Sequence, residues 1–434
     1  MSLKTVKEAK AGAFAIVEKQ TLQLTDIVAN SNKYYTVELR EYTDKSWGLY
    51  SVYGRTGATK TEDYRYGTEG QCRTEFSRLI RNKEGKGYSK VETEDTVING
   101  AKTMATEPAK TVNINKGVEG PVEWFVNYIY GFSRDFVKEA VDLPIGKLSL
   151  GQINLAQSLL KKIEQEMLGR QKKVTDDVIE LHNQYYKAVP QRLGHKIDIN
   201  SVLLKTDKDI ASQEDLLQQI KDMVVVKESD TDFEKRYKGL NAEISVPTKA
   251  EIDRIKHYVL NSRSSHHGIK SIEIKDILAI SRKVDDDRYD EKLAKLCEQE
   301  VFHGTKNVNL LGICSRGLML PGQHSASITG AMFGPGIYGA IHSTKSMQYC
   351  GSGGYNDRHS SRSSDQFMFI MQMGMGNWQS GGDWRRHYKL APGKHSTWAK
   401  AKEEGLLHDE LIVYNTSQVK LTHIVRFQTQ GSFY

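Results

Sequence analysis

Between residues 36 and 53 apolar side chains (Val37, Leu39, Trp47, Leu49, Val52) interleave with polar ones, and no proline interrupts them. A period near two predicts paired antiparallel strands, with Tyr53-Gly54-Arg55-Thr56-Gly57 supplying the turn. From Cys72 the spacing lengthens to that of a helix, through Phe76, Leu79 and Ile80, until Gly85-Lys86-Gly87 ends it. The first unit is therefore a small sheet with one helix over residues 33–91. Residues 92–118 carry Thr, Lys, Glu and Gly with few large apolar side chains, too few to offset the entropy of ordering, and read as a linker.

Residues 119–226 have helical spacing throughout. Val122, Phe125 and Ile129 line one face, and Phe136, Val137 and Val141 continue in a following helix. Ser149 with Gln152 forms a capping box that opens a helix of Ile153, Ala156, Leu159, Leu160, Ile163 and Met167. Val178, Leu181 and Tyr185 mark a further helix closed by Pro190, and Ser212 with Asp215 caps another, with Leu216, Leu217, Ile220 and Met223 inward. A helical bundle is the simplest packing. After a polar stretch, residues 248–434 open with one capped helix (Thr248, Glu251, then Ile252, Ile255, Val259) and continue in strands at 271–280, 300–302, 367–373, 410–414 and 421–427. Too few helices separate these strands for a doubly wound parallel sheet, so a mixed or antiparallel one is expected. No internal repeat of 20 to 50 residues is present.

The charge balance, 61 Lys and Arg against 54 acidic residues, permits polyanionic partners without demanding them. Its distribution is more telling. In the first unit Arg55, Lys60, Arg65, Arg73, Arg78, Arg81, Lys83, Lys86 and Lys90 stand against only Glu62, Asp63, Glu69, Glu75 and Glu84. Beside the aromatic Tyr53, that excess suits the phosphates and rings of a nucleic-acid end. Cys72, Cys297, Cys314 and Cys350 form no Cys-x-x-Cys pair, so reduced thiols and no metal site are expected. No long apolar run predicts a membrane span, and the first twenty residues lack the apolar segment of a secretory signal, so an intracellular protein is expected.

Gly334-Pro335-Gly336-Ile337-Tyr338-Gly339 satisfies the dinucleotide-binding glycine pattern, and Asp357 follows at a suitable distance. The pattern requires a strand running into its first glycine within a β-α-β unit, and none precedes it, so a glycine-rich turn shaping another site is the expectation. Met371, Met373 and Met375 alternate with Phe367 and Phe369 and read as the core face of a strand. The Gly- and Ser-rich residues 351–364 read as a surface loop.

Three segments carry chemistry jointly: Val301-Phe302-His303-Gly304-Thr305; Met332 to Tyr338 with Lys345-Ser346-Met347-Gln348-Tyr349-Cys350; and His408-Asp409-Glu410-Leu411-Ile412-Val413-Tyr414. In their order and spacing the chain resembles the poly(ADP-ribose) polymerase family. Leu143-Pro144-Ile145-Gly146-Lys147-Leu148-Ser149 and Tyr185-Tyr186-Lys187-Ala188-Val189-Pro190 are similar to signatures of that family's helical domain, and Gly393-Lys394-His395-Ser396 to a stretch near its cleft. Residues 33–91 resemble the Trp-Gly-Arg (WGR) domain of the DNA-dependent members, with Tyr53 in place of the tryptophan before Gly54 and Arg55. The resemblance implies a multidomain α+β chain: a sheet-plus-helix WGR domain at 33–91, an all-α regulatory domain at 119–226, and a mixed or antiparallel β ADP-ribosyltransferase domain at 248–434.

The resemblance also implies roles. His303, Tyr338 and Glu410 fall on the family's catalytic triad, with Glu410 stabilising the oxocarbenium-like state in which the nicotinamide bond of NAD+ breaks. His303 would bond the adenosine ribose; Gly304 and Ser346 would hold the nicotinamide carboxamide; Tyr338 and Tyr349 would sandwich its ring; Lys345 would assist at the acceptor end. Tyr53 and Arg55 would contact DNA ends or nicks. Acceptors would be proteins, this chain included, and the location the nucleus in a eukaryotic host. The alternative is a DNA-binding adaptor whose transferase domain holds NAD+ with little turnover.

Overall fold

The structure, a computed structural model, describes residues 3–93, 103–104, 120–141, 148–168, 174–225, 233–320, 332–351, 365–381, 390–402 and 405–432. The sequence expectations for the 143–147 signature, Asp357, most of the 92–118 linker and residues 352–364 lie outside the described residues, as does the Met223 side chain. Among the described residues no helix is long and apolar enough to cross a membrane. The chain divides into two units, residues 1–112 with 137–224, and residues 113–136 with 225–434.

In the first unit, strands β1 (Phe14–Asp26), β2 (Ser31–Tyr42), β3 (Trp47–Arg55) and β4 (Thr61–Gly67) are followed by helix α1 (Glu69–Glu84), β5 (Ser89–Val91) and β6 (Thr103–Met104). They form an antiparallel sheet in the order β4-β3-β2-β1-β5, with β6 also on β1. Helix α1 starts on a full capping box between Thr68 and Gln71 and packs Cys72, Phe76 and Leu79 against Val17, Val37, Leu39 and Leu49. The sheet begins at Phe14, ahead of the strands that the sequence pattern predicts. Strand β1 is hard to read because its buried positions include Lys19, Thr21, Gln23 and Thr25, so polarity alternates with no visible apolar face.

Lys19 meets a buried charge on β2. Lys19 and Glu38 side chains are 1% and 3% exposed with 3.8 Å between Nζ and Oε1, and Arg40 Nη2 lies 2.6 Å from Glu38 Oε2. Glu38→Gln removes the carboxylate that two cations face, and is expected to cost roughly 1–3 kcal/mol in urea unfolding; an unchanged midpoint would show that the pair contributes nothing.

Helices α2 (Pro121–Ala140), α3 (Leu150–Leu168), α4 (Asp176–Ala188), α5 (Ile199–Val202), α6 (Asp207–Val225) and α7 (Phe233–Gly239) follow. Helix α3 opens on the predicted Ser149 cap, Gln152 N donating to Ser149 Oγ at 3.1 Å. Two expectations differ. The region around Phe136 continues α2 instead of starting a new helix, Ser133 being buried within it. Helix α6 begins ahead of Ser212, on Thr206, which bonds Asp209 N at 3.2 Å while Asp209 returns a bond to Thr206 N at 2.9 Å. The helices are divided between the two units. Residues 137–224 belong with the sheet, Ile27 N donating to Asn183 Oδ1 on α4 at 2.9 Å and Asn32 Nδ2 to the Gln191 carbonyl at 2.8 Å. The start of α2 belongs to the second unit.

That unit adds β7 (Glu243–Ser245), α8 (Lys249–Asn261), β8 (Gly268–Ser281), α9 (Lys283–Arg288), α10 (Glu291–Leu296), β9 (Glu298–Gly304), α11 (Leu310–Arg316), β10 (Ile337–Gly339), α12 (Ser343–Met347), β11 (Gln366–Gly374), β12 (Trp378–Ser380), β13 (Ser396–Ala399), β14 (Glu410–Val413) and β15 (Val419–Ser432). An antiparallel sheet in the order β7-β8-β15-β11-β9 stands beside a second, β10-β14-β13-β12, whose β12–β13 pair is parallel. The mixed or antiparallel expectation therefore holds. Ile255 and Val259 of α8 cover Ile277, Phe302, Met368, Ile370, Val425 and Phe427, and the methionines of β11 are buried as predicted. At the N-terminus of α2, Trp124, Phe125 and Tyr128 pack around Phe367, with ring centroids 6.4, 5.6 and 5.1 Å away.

Candidate active site

The first sheet delivers His303 and Gly304 at the end of β9. The second delivers Tyr338 in the middle of β10 and Glu410 at the head of β14, with Tyr338 paired to Ile412 across the ladder. The two sheets are tied where Phe302 and Ala340 exchange backbone hydrogen bonds of 2.9 and 3.0 Å. Helix α12 supplies Lys345 and Ser346, and Tyr349 follows it.

His303 donates from Nδ1 to the Tyr338 carbonyl at 2.9 Å. This fixes the neutral tautomer and turns Nε2 into an acceptor; burial lowers the ring's pKa, outweighing the hydrogen bond that raises it. The Tyr338 ring is pinned at its tip, its hydroxyl donating to the Gly334 carbonyl at 2.8 Å and accepting from Phe333 N at 3.0 Å. The glycine-rich pattern at 334–339 thus serves a turn and a close contact: a Cβ on Gly339 would stand 2.6 Å from Val301 Cγ2.

Gly304 faces helix α12 so closely that a Cβ would lie 1.8 Å from the Ser346 carbonyl oxygen. Ser346 Oγ is buried and donates to the Phe302 carbonyl at 2.9 Å, locking α12 to β9. Next to it the thiol of Cys350 donates to the Ser346 carbonyl at 3.5 Å, and burial pushes its pKa up to about 12.

Lys345 Nζ reaches Glu410 Oε1 at 3.1 Å and the Tyr349 hydroxyl at 3.2 Å. Burial pulls its pKa down, yet the Glu410 carboxylate and Tyr349 outweigh that and the net shift is upward, so the ammonium stays charged. Six sequence-predicted residues are thereby linked in pairs: His303 with Tyr338, Gly304 with Ser346, Lys345 with Glu410.

Of the histidines beside them, the sequence pattern picked out only His408, in the segment with Glu410. His408 Nε2 and His267 Nε2 are 3.1 Å apart, and the His266 and His342 rings lie 5.6 and 5.5 Å from that of His408. His408 is 4% exposed. Burial, then His267, His342, Lys345 and His266, lower its pKa to about 4. Asp409 faces away, its carboxylate accepting from Trp398 Nε1 at 2.8 Å and Ala401 N at 2.9 Å. Because the folded state holds this imidazole below its usual value near 6.5, the unfolded chain binds more protons between those limits. Stability is full above about pH 6.5 and falls toward pH 4. The melting temperature is expected to drop on acidification from pH 7.5 to 5, and His408→Leu to flatten that drop; parallel curves would remove His408 as a source. Among the described residues no group of three His, Cys, Asp or Glu side chains is placed to hold a metal ion.

In the first unit, Tyr53 stacks on Tyr35 at 5.7 Å and donates to Asp63 Oδ2 at 2.8 Å. Arg55 Nε donates to the Gly194 carbonyl at 2.9 Å and Nη2 to Asn30 Oδ1 at 2.8 Å. Of the basic cluster, Lys60 pairs with Glu62 at 2.8 Å, Arg73 with Glu69 at 2.8 Å, Arg78 with Glu75 at 2.7 Å and Lys90 with Glu84 at 3.1 Å. Arg81 and Lys86 stand exposed near the C-terminal end of α1.

Small sheet with its helix, helical segment, then two sheets carrying a histidine, a tyrosine and a glutamate: this order defines a three-module chain of one class. Family models match in the same order, the WGR domain over residues 18–95, the poly(ADP-ribose) polymerase regulatory domain over 128–239 and the poly(ADP-ribose) polymerase catalytic domain over 249–405. The chain belongs to the poly(ADP-ribose) polymerase family. It is 25% identical to poly [ADP-ribose] polymerase 1 of Danio rerio and of Gallus gallus, over 95% and 94% of its length, and 23% identical to a poly [ADP-ribose] polymerase of Drosophila melanogaster over 95%. The chain spans 45% to 46% of the length of these relatives. The catalytic match ends at residue 405, short of Glu410, which is tied to the other candidate residues by its ion pair with Lys345.

Proposed function

We propose that this chain is an NAD+ ADP-ribosyltransferase that responds to DNA ends or nicks and modifies proteins, itself included. The observation that carries the reading is the Lys345–Glu410 ion pair, which sets a carboxylate at the head of β14 in the same unit as the His303–Tyr338 pair.

In this reading the nicotinamide carboxamide bonds the backbone of Gly304 and the hydroxyl of Ser346, which the missing side chain at 304 lets helix α12 bring close together. Tyr338 and Tyr349 hold the flat ring between them, which orients the leaving group. His303 Nε2 accepts a hydrogen bond from the adenosine ribose. As the bond between nicotinamide and ribose breaks, positive charge develops on the sugar, and Glu410 stabilises it while orienting the ribose hydroxyls. Nicotinamide leaves with the bonding electron pair, and the acceptor nucleophile closes the new bond at the same carbon and loses its proton. Lys345 holds the carboxylate in place and faces the acceptor side. NAD+ is the substrate, and no metal takes part.

DNA would bind the first unit at Tyr53 and Arg55 with the exposed Arg81 and Lys86, phosphates meeting the cations. The internal partners of Tyr53 and Arg55 support a role in which contact with DNA is felt by the Gly194 segment through Arg55. A eukaryotic host would place the protein in the nucleus.

The test is incubation of the purified chain with labelled NAD+, with and without nicked or blunt duplex DNA, resolved on a denaturing gel. A DNA-stimulated smear or ladder is expected. Label that does not change with DNA would remove the DNA dependence. No label from protein that binds NAD+ would leave the adaptor reading.

A further inference from the structure

Asn307, three residues after Gly304, is 1% exposed and binds three separate segments. Its backbone N donates to the Gly351 carbonyl at 2.7 Å, just beyond Tyr349, which ties the His303-Gly304 wall to the Ser346–Tyr349 wall. Its side-chain Nδ2 donates to two oxygens at 2.9 Å, the Asp365 carbonyl and the hydroxyl of Tyr128 on α2. Its Oδ1 is buried without a hydrogen-bond partner among the described residues, so the amide is held by its donor side alone.

Tyr128 is itself fixed from behind. It stacks on Trp124 at 5.1 Å, and the Arg426 guanidinium lies 3.6 Å over the Trp124 ring. Tyr128 is also the first residue matched by the regulatory-domain family model, although it packs within the second unit. We propose that Tyr128 is a positioning residue for the nicotinamide site: acting through Asn307, it lets the placement of helix α2 set the separation of the two walls that would grip the carboxamide and ring. This rests on the NAD+ reading above. A shift of α2 that withdraws the Tyr128 hydroxyl leaves Asn307 with the Asp365 carbonyl alone and loosens both walls together, with no change at Glu410.

Benzamide, which has a ring and carboxamide but no sugar, isolates this effect. Calorimetry on the full chain should show Tyr128→Phe binding benzamide roughly three- to tenfold more weakly than the wild type, the loss expected for one buried hydrogen bond. The KM for NAD+ should rise by a similar factor and kcat should change less than twofold. Tyr130→Phe is the control: it removes a hydroxyl bond from the same helix, to the Arg236 carbonyl at 2.9 Å, and should leave both constants unchanged. Equal benzamide affinity in Tyr128→Phe and wild type overturns the proposal. So does equal weakening by Tyr130→Phe, since general loosening of α2 would then suffice. A wild-type chain that binds neither benzamide nor NAD+ sinks the transferase reading itself, and this proposal with it.

Discussion

Glu410→Gln is expected to lower turnover on NAD+ about a hundred- to a thousandfold while the protein folds and binds benzamide as before. Glutamine keeps the shape and one acceptor oxygen but loses the charge, and only the charge opposes the cation that develops as the glycosidic bond breaks. Loss of one preorganised electrostatic group at such a centre typically costs that much. The ground state is affected little, so KM should move far less than kcat. The substitution also removes the carboxylate 3.1 Å from Lys345, the charge that sustains its raised pKa against burial. Lysine protonation should therefore fall in the variant, visible as a downward shift in the alkaline limb of any residual activity. A glutamine variant within threefold of wild type would take Glu410 out of the chemistry.

Gly304→Ala is expected to abolish benzamide binding, with an affinity loss of at least about a hundredfold, by sterics alone. The new methyl would sit 1.8 Å from the Ser346 carbonyl oxygen and 2.7 Å from its carbon, both backbone atoms that cannot rotate aside. Helix α12 must then move off β9, breaking the 2.9 Å bond from Ser346 Oγ to the Phe302 carbonyl. The fold should survive, because Gly304 is the last residue of β9 and pairs only with Met368 at the sheet's margin, but overpacking of this kind typically costs 1–3 kcal/mol. Circular dichroism and calorimetry on the same sample separate the two effects. Full benzamide affinity in a folded Gly304→Ala protein would contradict the close approach.

The contrast between what could be read and what could not follows from where each signal resides. Strand β11 was legible by its apolar run, β8 and β15 by apolar residues interleaved with polar ones, and helix α3 because Ser149 and Gln152 announce its start. The six candidate residues that pair in the structure could be singled out because each is a distinctive type at a fixed offset inside one of three short segments. Strand β1 was not, since its buried positions mix Val17 and Leu22 with Lys19, Thr21, Gln23 and Thr25 and leave no apolar period to detect. The cap of α6 was misplaced because Ser212 and Thr206 carry equivalent local signals, and only tertiary packing chooses between them. Tyr128 and Asn307 are 179 residues apart, and His267 and His408 are 141 apart, so no window of sequence contains either pair. Such contacts are properties of the folded sheets.

The Cys350 thiol bears on the choice of inhibitor chemistry. Its sulfur lies 3.5 Å from the Ser346 carbonyl, and the side chain packs against the core formed by Ile255, Val259 and Phe302. A thiol held protonated up to about 12 presents almost no thiolate at neutral pH, and thiolate is the species that attacks acrylamides and chloroacetamides. Covalent fragments built out from a carboxamide core would therefore pass this cysteine by.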